Sequence, residues 1–157
     1  ADDLVMADTP CLKQMVDAQS GTDGNLVAVM DVPREHTNRY GILDVGAEDG
    51  GLVEVRGLVE KPDPADAPST LSVIGRYILQ PEVFGHLDNH ERGAGGEIQL
   101  TDAMAKMIGH RPFHGLRFDG ERFDCGDKAG FLEANLAFAL NRKDLENQVR
   151  EILTKYA

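Results

Sequence analysis

Four short stretches of the chain bring together residue types that could do chemistry, and carboxylates dominate them. Asp2-Asp3 is followed by Leu4-Val5 and, a few residues on, by a helix signal. Acids at the carboxyl end of a strand in an α/β sheet stand where ligands bind in that architecture. A hard divalent cation such as Mg²⁺ takes one or two carboxylates together with phosphate oxygens of a substrate. The pair reads as such a site, or as solvated acids at the edge of the chain. Val59-Glu60-Lys61-Pro62 is a strand end that delivers an acid and a base to opposite faces and stops at a proline. Glu60 could accept hydrogen bonds from sugar hydroxyls there, and Lys61 could act as a point charge on a phosphate. An exposed Glu/Lys pair is the plainer alternative.

Gly93-Ala94-Gly95-Gly96-Glu97 could let backbone N–H groups approach a ligand closely, because glycine removes the Cβ obstacle. It lacks the Gly-Lys-Ser/Thr of a P-loop and the dinucleotide fingerprint, so a mobile surface loop is the competing reading. Asp124-Cys125-Gly126-Asp127-Lys128 places acids around a glycine at a helix start. Asp127 is explained as an N-cap, whereas capping does not explain Asp124. Neighbouring acids do not favour a thiolate, so Cys125 is set aside as a nucleophile. The five histidines, at 36, 86, 90, 110 and 114, show no metal-ligand spacing. His86 and His90 form an i, i+4 pair without a third partner and read as surface.

These residues must be positioned by an alternation of strands and helices. Thr9-Pro10 opens a helix, with Thr as cap and Pro at the first helical position. Leu12, Met15, Val16 and Ala18 follow at helical spacing, and Ser20-Gly21 stops the run. Residues 26–30 are a continuous apolar run of the kind found in strands buried on both faces of a parallel sheet. Residues 34–40 read as a loop. Strands at 41–45 and from 52 onward flank Asp49-Gly50, a hairpin signal. Pro62, Pro64 and Pro68 make a loop with several fixed φ angles. A strand at 71–79, a helical turn from Pro81, an amphipathic helix carrying Ala103, Met104, Met107 and Ile108, and a strand at 113–118 follow. Helices at 128–140 and 144–156 finish the chain. Such alternation means α/β.

The 157 residues hold 16 Lys+Arg against 27 Asp+Glu, a formal net charge of −11. That balance argues against nucleic acid or an anionic membrane as partner, since both call for basic patches. No apolar run approaches the roughly 20 residues of a membrane-spanning helix, and no basic leader precedes an apolar segment. Two cysteines make neither a disulfide framework nor a zinc cluster, so a cytoplasmic setting is expected.

Taken in order, the motifs carry a resemblance. Ala1-Asp-Asp-Leu-Val, Arg39-Tyr-Gly-Ile, Val59-Glu-Lys-Pro, Gly75-Arg-Tyr-Ile-Leu, Gly93-Ala-Gly-Gly-Glu-Ile-Gln-Leu-Thr-Asp and Phe123-Asp-Cys-Gly-Asp-Lys match stretches of one family. The chain resembles the bacterial UTP–glucose-1-phosphate uridylyltransferases, the UDP-glucose pyrophosphorylases. The resemblance implies part of a Rossmann-like nucleotidyltransferase fold, with a mixed, mostly parallel sheet and flanking helices. It implies uridylyl transfer from UTP to glucose 1-phosphate, giving UDP-glucose and pyrophosphate, with Mg²⁺ as cofactor. By the same resemblance Asp2 is a metal-binding aspartate, with Asp3 as fallback, and Asp124 is the second. Gly41 and Glu60 are sugar-hydroxyl contacts, by backbone and carboxylate. Lys61 contacts the sugar phosphate and shares the catalytic role with Asp2. Glu97 and Thr101 lie where a second loop closes on the sugar.

Family members carry a glycine-rich nucleotide loop with an Arg and a nearby Lys, and this sequence has no such segment. The expectation is a chain that lacks the N-terminal nucleotide-binding half and is inactive alone. Residues 1–128 are expected to form the sugar-binding and metal-site portion, and 129–157 the C-terminal helices, for packing or a homo-oligomer contact. Another sugar-1-phosphate nucleotidyltransferase, thymidylyl or guanylyl, is the alternative within the class. A non-catalytic module that binds sugar phosphate is the alternative outside it, and an interaction domain is the blandest.

Overall fold

The alternation is carried through in the computed structural model, which describes residues 2–89, 92–93 and 96–156. In chain order the first elements are β1 (Asp3–Met6), α1 (Cys11–Gln19), β2 (Asn25–Asp31), a 3-10 helix (Arg34–Arg39), β3 (Gly41–Asp49) and β4 (Leu52–Glu60). Then come β5 (Leu71–Ile78), α2 (Glu82–Asp88), α3 (Leu100–Met107), β6 (Phe113–Arg117), β7 (Glu121–Asp124), α4 (Lys128–Leu140) and α5 (Glu146–Tyr156). They form two compact units, Cys11–Phe118 and the combination of Ala1–Pro10 with Asp119–Ala157. Among the described residues no helix is long and apolar enough to cross a membrane.

In the larger unit, β2, β5, β3, β4 and β6 hydrogen-bond in that order and close on one another. The sheet is mixed, but antiparallel pairing predominates where mostly parallel pairing was expected. Among the described strands of this ring only β2 and β6 run parallel. Connection length is the physical reason. Gly50 and Gly51, at φ 56° and 86°, join β3 to β4 directly, and such a turn can only produce antiparallel neighbours. The parallel β2–β6 pair is separated by helices and further strands, as a crossover requires. The run at 26–30 is indeed buried, with Leu26, Val27 and Ala28 at 0% exposure. Burial on both faces does not fix strand direction.

The core of this unit gathers Val27, Val29, Leu43, Val53, Val55 and Leu71 from the strands with Val83 and Phe113. Helix α3 adds Ala103, Met104 and Met107, the face its spacing predicts. Burying a Met side chain stabilises by about 1.5–3 kcal/mol. Helix α3 lies against β4, so this burial also fixes where the first turn of α3 stands. The segment read as a loop at 34–40 contains the 3-10 helix, whose Thr37 hydroxyl donates to Arg34 O at 2.8 Å.

In the smaller unit β1 pairs antiparallel with β7, Asp3 opposite Asp124 and Val5 opposite Arg122. Helix α4 starts at Asp127, whose Oδ2 accepts from the Ala129 and Gly130 N–H groups at 3.0 Å each. That is the expected N-cap. A Cβ on Gly130 would stand 2.1 Å from Asp124 O, so the first turn of α4 is pressed onto the end of β7. Phe123 and Phe138 bring their ring centroids to 5.9 Å. In the C-terminal helices, expected to serve packing or a contact, Phe131, Leu132, Ile152 and Tyr156 are exposed.

Candidate functional site

The candidate residues fall into two groups, one in each unit. In the larger unit Gly41 begins β3, Glu60 ends β4, and the two are direct partners at the open end of the hairpin. Thr101 enters from the first turn of α3. A Cβ on Gly41 would lie 3.3 Å from Glu60 Oε2, 3.3 Å from Thr101 Cγ2 and 3.4 Å from Thr101 Oγ1. Glycine at 41 thus keeps open a small space bordered by a carboxylate and a hydroxyl. Only 11% of the Glu60 side chain is exposed, so its oxygens are acceptors in a largely dry setting.

Lys61 departs from the expected alternation. It is the one non-glycine residue among those described with positive φ, at 47°. Pro62 disfavours the right-handed helical region for the residue before it. The Lys61 N–H still donates to Tyr40 O at 2.9 Å, which extends the ladder by one step. The resulting twist returns Lys61 Nζ to 3.6 Å from Glu60 Oε1 instead of sending it to the opposite face. An acid and a base therefore stand side by side at the edge of the Gly41 space. Strained backbone of this kind costs about 1–3 kcal/mol and clusters at functional positions.

Glu97 is exposed, and its polar contacts among the described residues stay within its own loop. Gly93 N–H donates to Glu97 O at 2.8 Å, and Gln99 Nε2 stands 3.5 Å from Glu97 Oε2. A Cβ on Gly93 would overlap Asp102 Oδ2 at 1.7 Å, so this loop is seated on the first turn of α3 beside Thr101. Of the glycine-rich loop, Ala94 and Gly95 lie outside the described residues, as does His90 of the histidine pair.

In the smaller unit the acids converge. Asp3, Arg122 and Asp124 share one face of the β1–β7 ribbon. Arg122 Nε–H donates to Asp3 Oδ1 at 2.8 Å, and a terminal guanidinium nitrogen lies 2.6 Å from the same oxygen. Burial pushes the Asp3 carboxyl above its ordinary range; the Arg122 hydrogen bond and charge oppose this, and Asp124 and Asp2 reinforce it. Asp3 is thus engaged with Arg122. Asp2 and Asp124 meet instead at Gly126, where a Cβ would stand 2.7 Å from Asp2 Oδ2 and 3.2 Å from Asp124 Oδ1. Asp124 Oδ1 also accepts from the Gly126 N–H at 3.1 Å, and the Cys125 N–H donates to Asp2 O at 2.9 Å.

Among the described residues no group of three or more His, Cys, Asp and Glu side chains is arranged to hold a metal ion. Two carboxylates around an absent Cβ are hard oxygen donors, a set that suits a divalent cation completing its shell with phosphate and water. Sequence reasoning missed Arg122. The period-two pattern of Arg122, Phe123 and Asp124 could have revealed it, but four residues between a glycine and a turn are a weak strand signal.

A family model described as nucleotidyl transferase matches residues 1–140. The UTP–glucose-1-phosphate uridylyltransferase of Komagataeibacter xylinus is 64% identical over 127 residues, 81% of this chain and 45% of that protein. A UDP-glucose pyrophosphorylase structure complexed with UDP-glucose is similar at a TM-score of 0.84 and 38% identity, over 90% of this chain and 54% of that one. A UTP-bound UGPase from Acinetobacter baumannii is similar at a TM-score of 0.86 and 32% identity, over 99% of this chain and 54% of that one. The chain spans about half the length of the curated relatives it matches. With the family match running from the acids of β1 through α4, the chain belongs to the nucleotidyl transferase family.

Proposed function

We propose that the chain forms the sugar-binding and metal-holding part of a UTP–glucose-1-phosphate uridylyltransferase. The observation that carries this reading is the meeting of Gly41, Glu60 and Thr101 around one small space, with Lys61 Nζ beside the Glu60 carboxylate. A sugar hydroxyl there donates to Glu60, and the absent Cβ of Gly41 lets the ring approach the backbone. Lys61 supplies a positive point charge to the sugar phosphate. Glu97 and Thr101 border the sugar from the second loop and from α3. Uridylyl rather than thymidylyl or guanylyl transfer is supported by the 64% identity to a uridylyltransferase.

In the reaction, an oxygen of the glucose 1-phosphate phosphate attacks the α-phosphorus of UTP. The bond to the β-phosphate bridging oxygen breaks, and pyrophosphate leaves with that electron pair. This chemistry needs alignment and charge neutralisation more than a nucleophilic side chain. Glu60 and Gly41 hold the sugar so that its phosphate faces the α-phosphorus, and Lys61 offsets charge on that phosphate. Asp2 and Asp124 are the residues that would hold Mg²⁺, whose bound charge neutralises and orients phosphate oxygens. Asp3, the fallback ligand, is occupied with Arg122.

The free cysteines Cys11 and Cys125 are in keeping with a reducing, cytoplasmic setting. The exposed Phe131, Leu132, Ile152 and Tyr156 of α4 and α5 support self-association into a homo-oligomer. Calorimetric titration of glucose 1-phosphate and UDP-glucose into the full-length protein tests the sugar site. Glu60→Gln should weaken both by about ten-fold or more, since it replaces a charged acceptor in a nearly buried position. Equal binding by the two proteins would refute the assignment.

A further inference from the structure

Arg122 has no part in the sugar site, yet its side chain is only 9% exposed and lies beside two carboxylates, Asp3 and Asp124. Its Nε–H and a terminal nitrogen both reach Asp3 Oδ1, at 2.8 and 2.6 Å, and that terminal nitrogen stands 3.7 Å from Asp124 Oδ2. The other Asp124 oxygen is held at 3.1 Å by the Gly126 N–H. One oxygen of Asp124 is thereby held by a backbone donor, and the other lies within ion-pair reach of the guanidinium. Asp3 sits opposite Asp124 on the same ribbon face, where an unneutralised carboxylate would repel it. It would also compete with Asp2 and Asp124 for any cation.

We propose that Arg122 is a positioning residue for the cation site: it binds Asp3 as a counter-ion and orients Asp124, so that Asp2 and Asp124 are the carboxylates presented to a divalent cation. This rests on the reading of Asp2 and Asp124 given under the proposed function. Residues that orient a metal's ligands from behind typically change affinity by about 10–100-fold when altered.

The test uses full-length protein and Mn²⁺ as the probe, with free Mn²⁺ followed by electron paramagnetic resonance and no substrate present. Arg122→Gln should weaken Mn²⁺ binding by about ten-fold or more. Arg122→Lys, which keeps the charge but loses the fork, should fall between Arg122→Gln and the unaltered protein. The Arg122→Gln/Asp3→Asn double variant removes the stray carboxylate as well, and should recover the part of the lost affinity that is due to Asp3, while the loss from Asp124 remains. In turnover assays the half-saturating Mg²⁺ concentration should move with these affinities, while KM for glucose 1-phosphate stays within about two-fold. Unchanged Mn²⁺ affinity in a folded Arg122→Gln protein, or a double variant as weak as the single one, overturns the proposal. If Arg122→Gln does not fold, Arg122→Lys and the double variant decide: native-like affinity in Arg122→Lys overturns it. Failure of the underlying reading looks different, because unaltered protein would then lose no Mn²⁺ affinity on Asp2→Asn or Asp124→Asn.

Discussion

Gly41 and Glu60 face each other across the open end of the β3–β4 hairpin, and a single methyl group on Gly41 would stand 3.3 Å from the Glu60 carboxylate. The same methyl would touch Thr101 at 3.3 and 3.4 Å. These separations are tight but short of a clash, so side chains could yield by a few tenths of an ångström. The consequence of filling the space should therefore be functional before it is structural.

Gly41→Ala is accordingly expected to raise KM for glucose 1-phosphate by about ten-fold, equivalent to about 1.4 kcal/mol of lost binding. Its unfolding free energy should change by less than about 1.5 kcal/mol. Steady-state kinetics paired with urea denaturation checks both halves. A large stability loss with unchanged KM would show that the space serves packing alone.

Lys61 offers a separation of strain from charge. Lys61→Ala keeps a Cβ at φ 47°, whereas Lys61→Gly removes it. Relief of left-handed strain is worth roughly 1–2 kcal/mol, against about 0.5–1 kcal/mol for the greater freedom of glycine in the unfolded chain. The glycine variant should melt at or above the temperature of the alanine variant, while both lose affinity for the sugar phosphate. Thermal denaturation with Lys61→Ala clearly the more stable would contradict this account of the backbone.

Acid stability should depend on Asp31. Partial burial pushes its carboxyl up, but hydrogen bonds from Arg117 and Thr70 and the charge of Arg117 prevail and hold it below the usual range. Thr70 Oγ1 donates at 2.9 Å, and Arg117 also binds Glu48 at 2.8 Å. A folded carboxyl held low contributes stability above its unfolded value near about 3.9, and that contribution is lost as pH falls. Asp3 acts in the opposite sense: its raised carboxyl favours the folded state at low pH and loses that contribution as pH rises through its folded value. Melting temperatures of Asp31→Asn and unaltered protein should therefore differ most near neutrality and converge below about pH 4. A gap that widens on acidification would reverse the sign and defeat the argument.

Much of this arrangement was legible in the sequence because local signals agreed. The turn after Asp49, a helix start close to Thr9-Pro10 (the helix itself begins at Cys11, one residue later than expected) and the apolar face of α3 each follow from short-range chemistry. Gly41, Glu60 and Thr101 were identified by motif, and the fold brings them to one place. Three features resisted. Strand β7 is short, and its burial depends on β1 from the other end of the chain, so Arg122 carried only a weak local signal. The side taken by Lys61 depends on a positive φ that alternation cannot anticipate. Strand direction around the ring is set by connections, and the buried run of β2 is silent on it.

The central claim is tested most directly by product formation. Full-length protein supplied with UTP, glucose 1-phosphate and Mg²⁺ should yield UDP-glucose and pyrophosphate in equal amounts, measured by anion-exchange chromatography. Asp124→Asn should lower kcat by about a hundred-fold or more, and Glu60→Gln should act chiefly on KM for glucose 1-phosphate. No UDP-glucose from the unaltered protein, or undiminished turnover in both variants, would contradict the account.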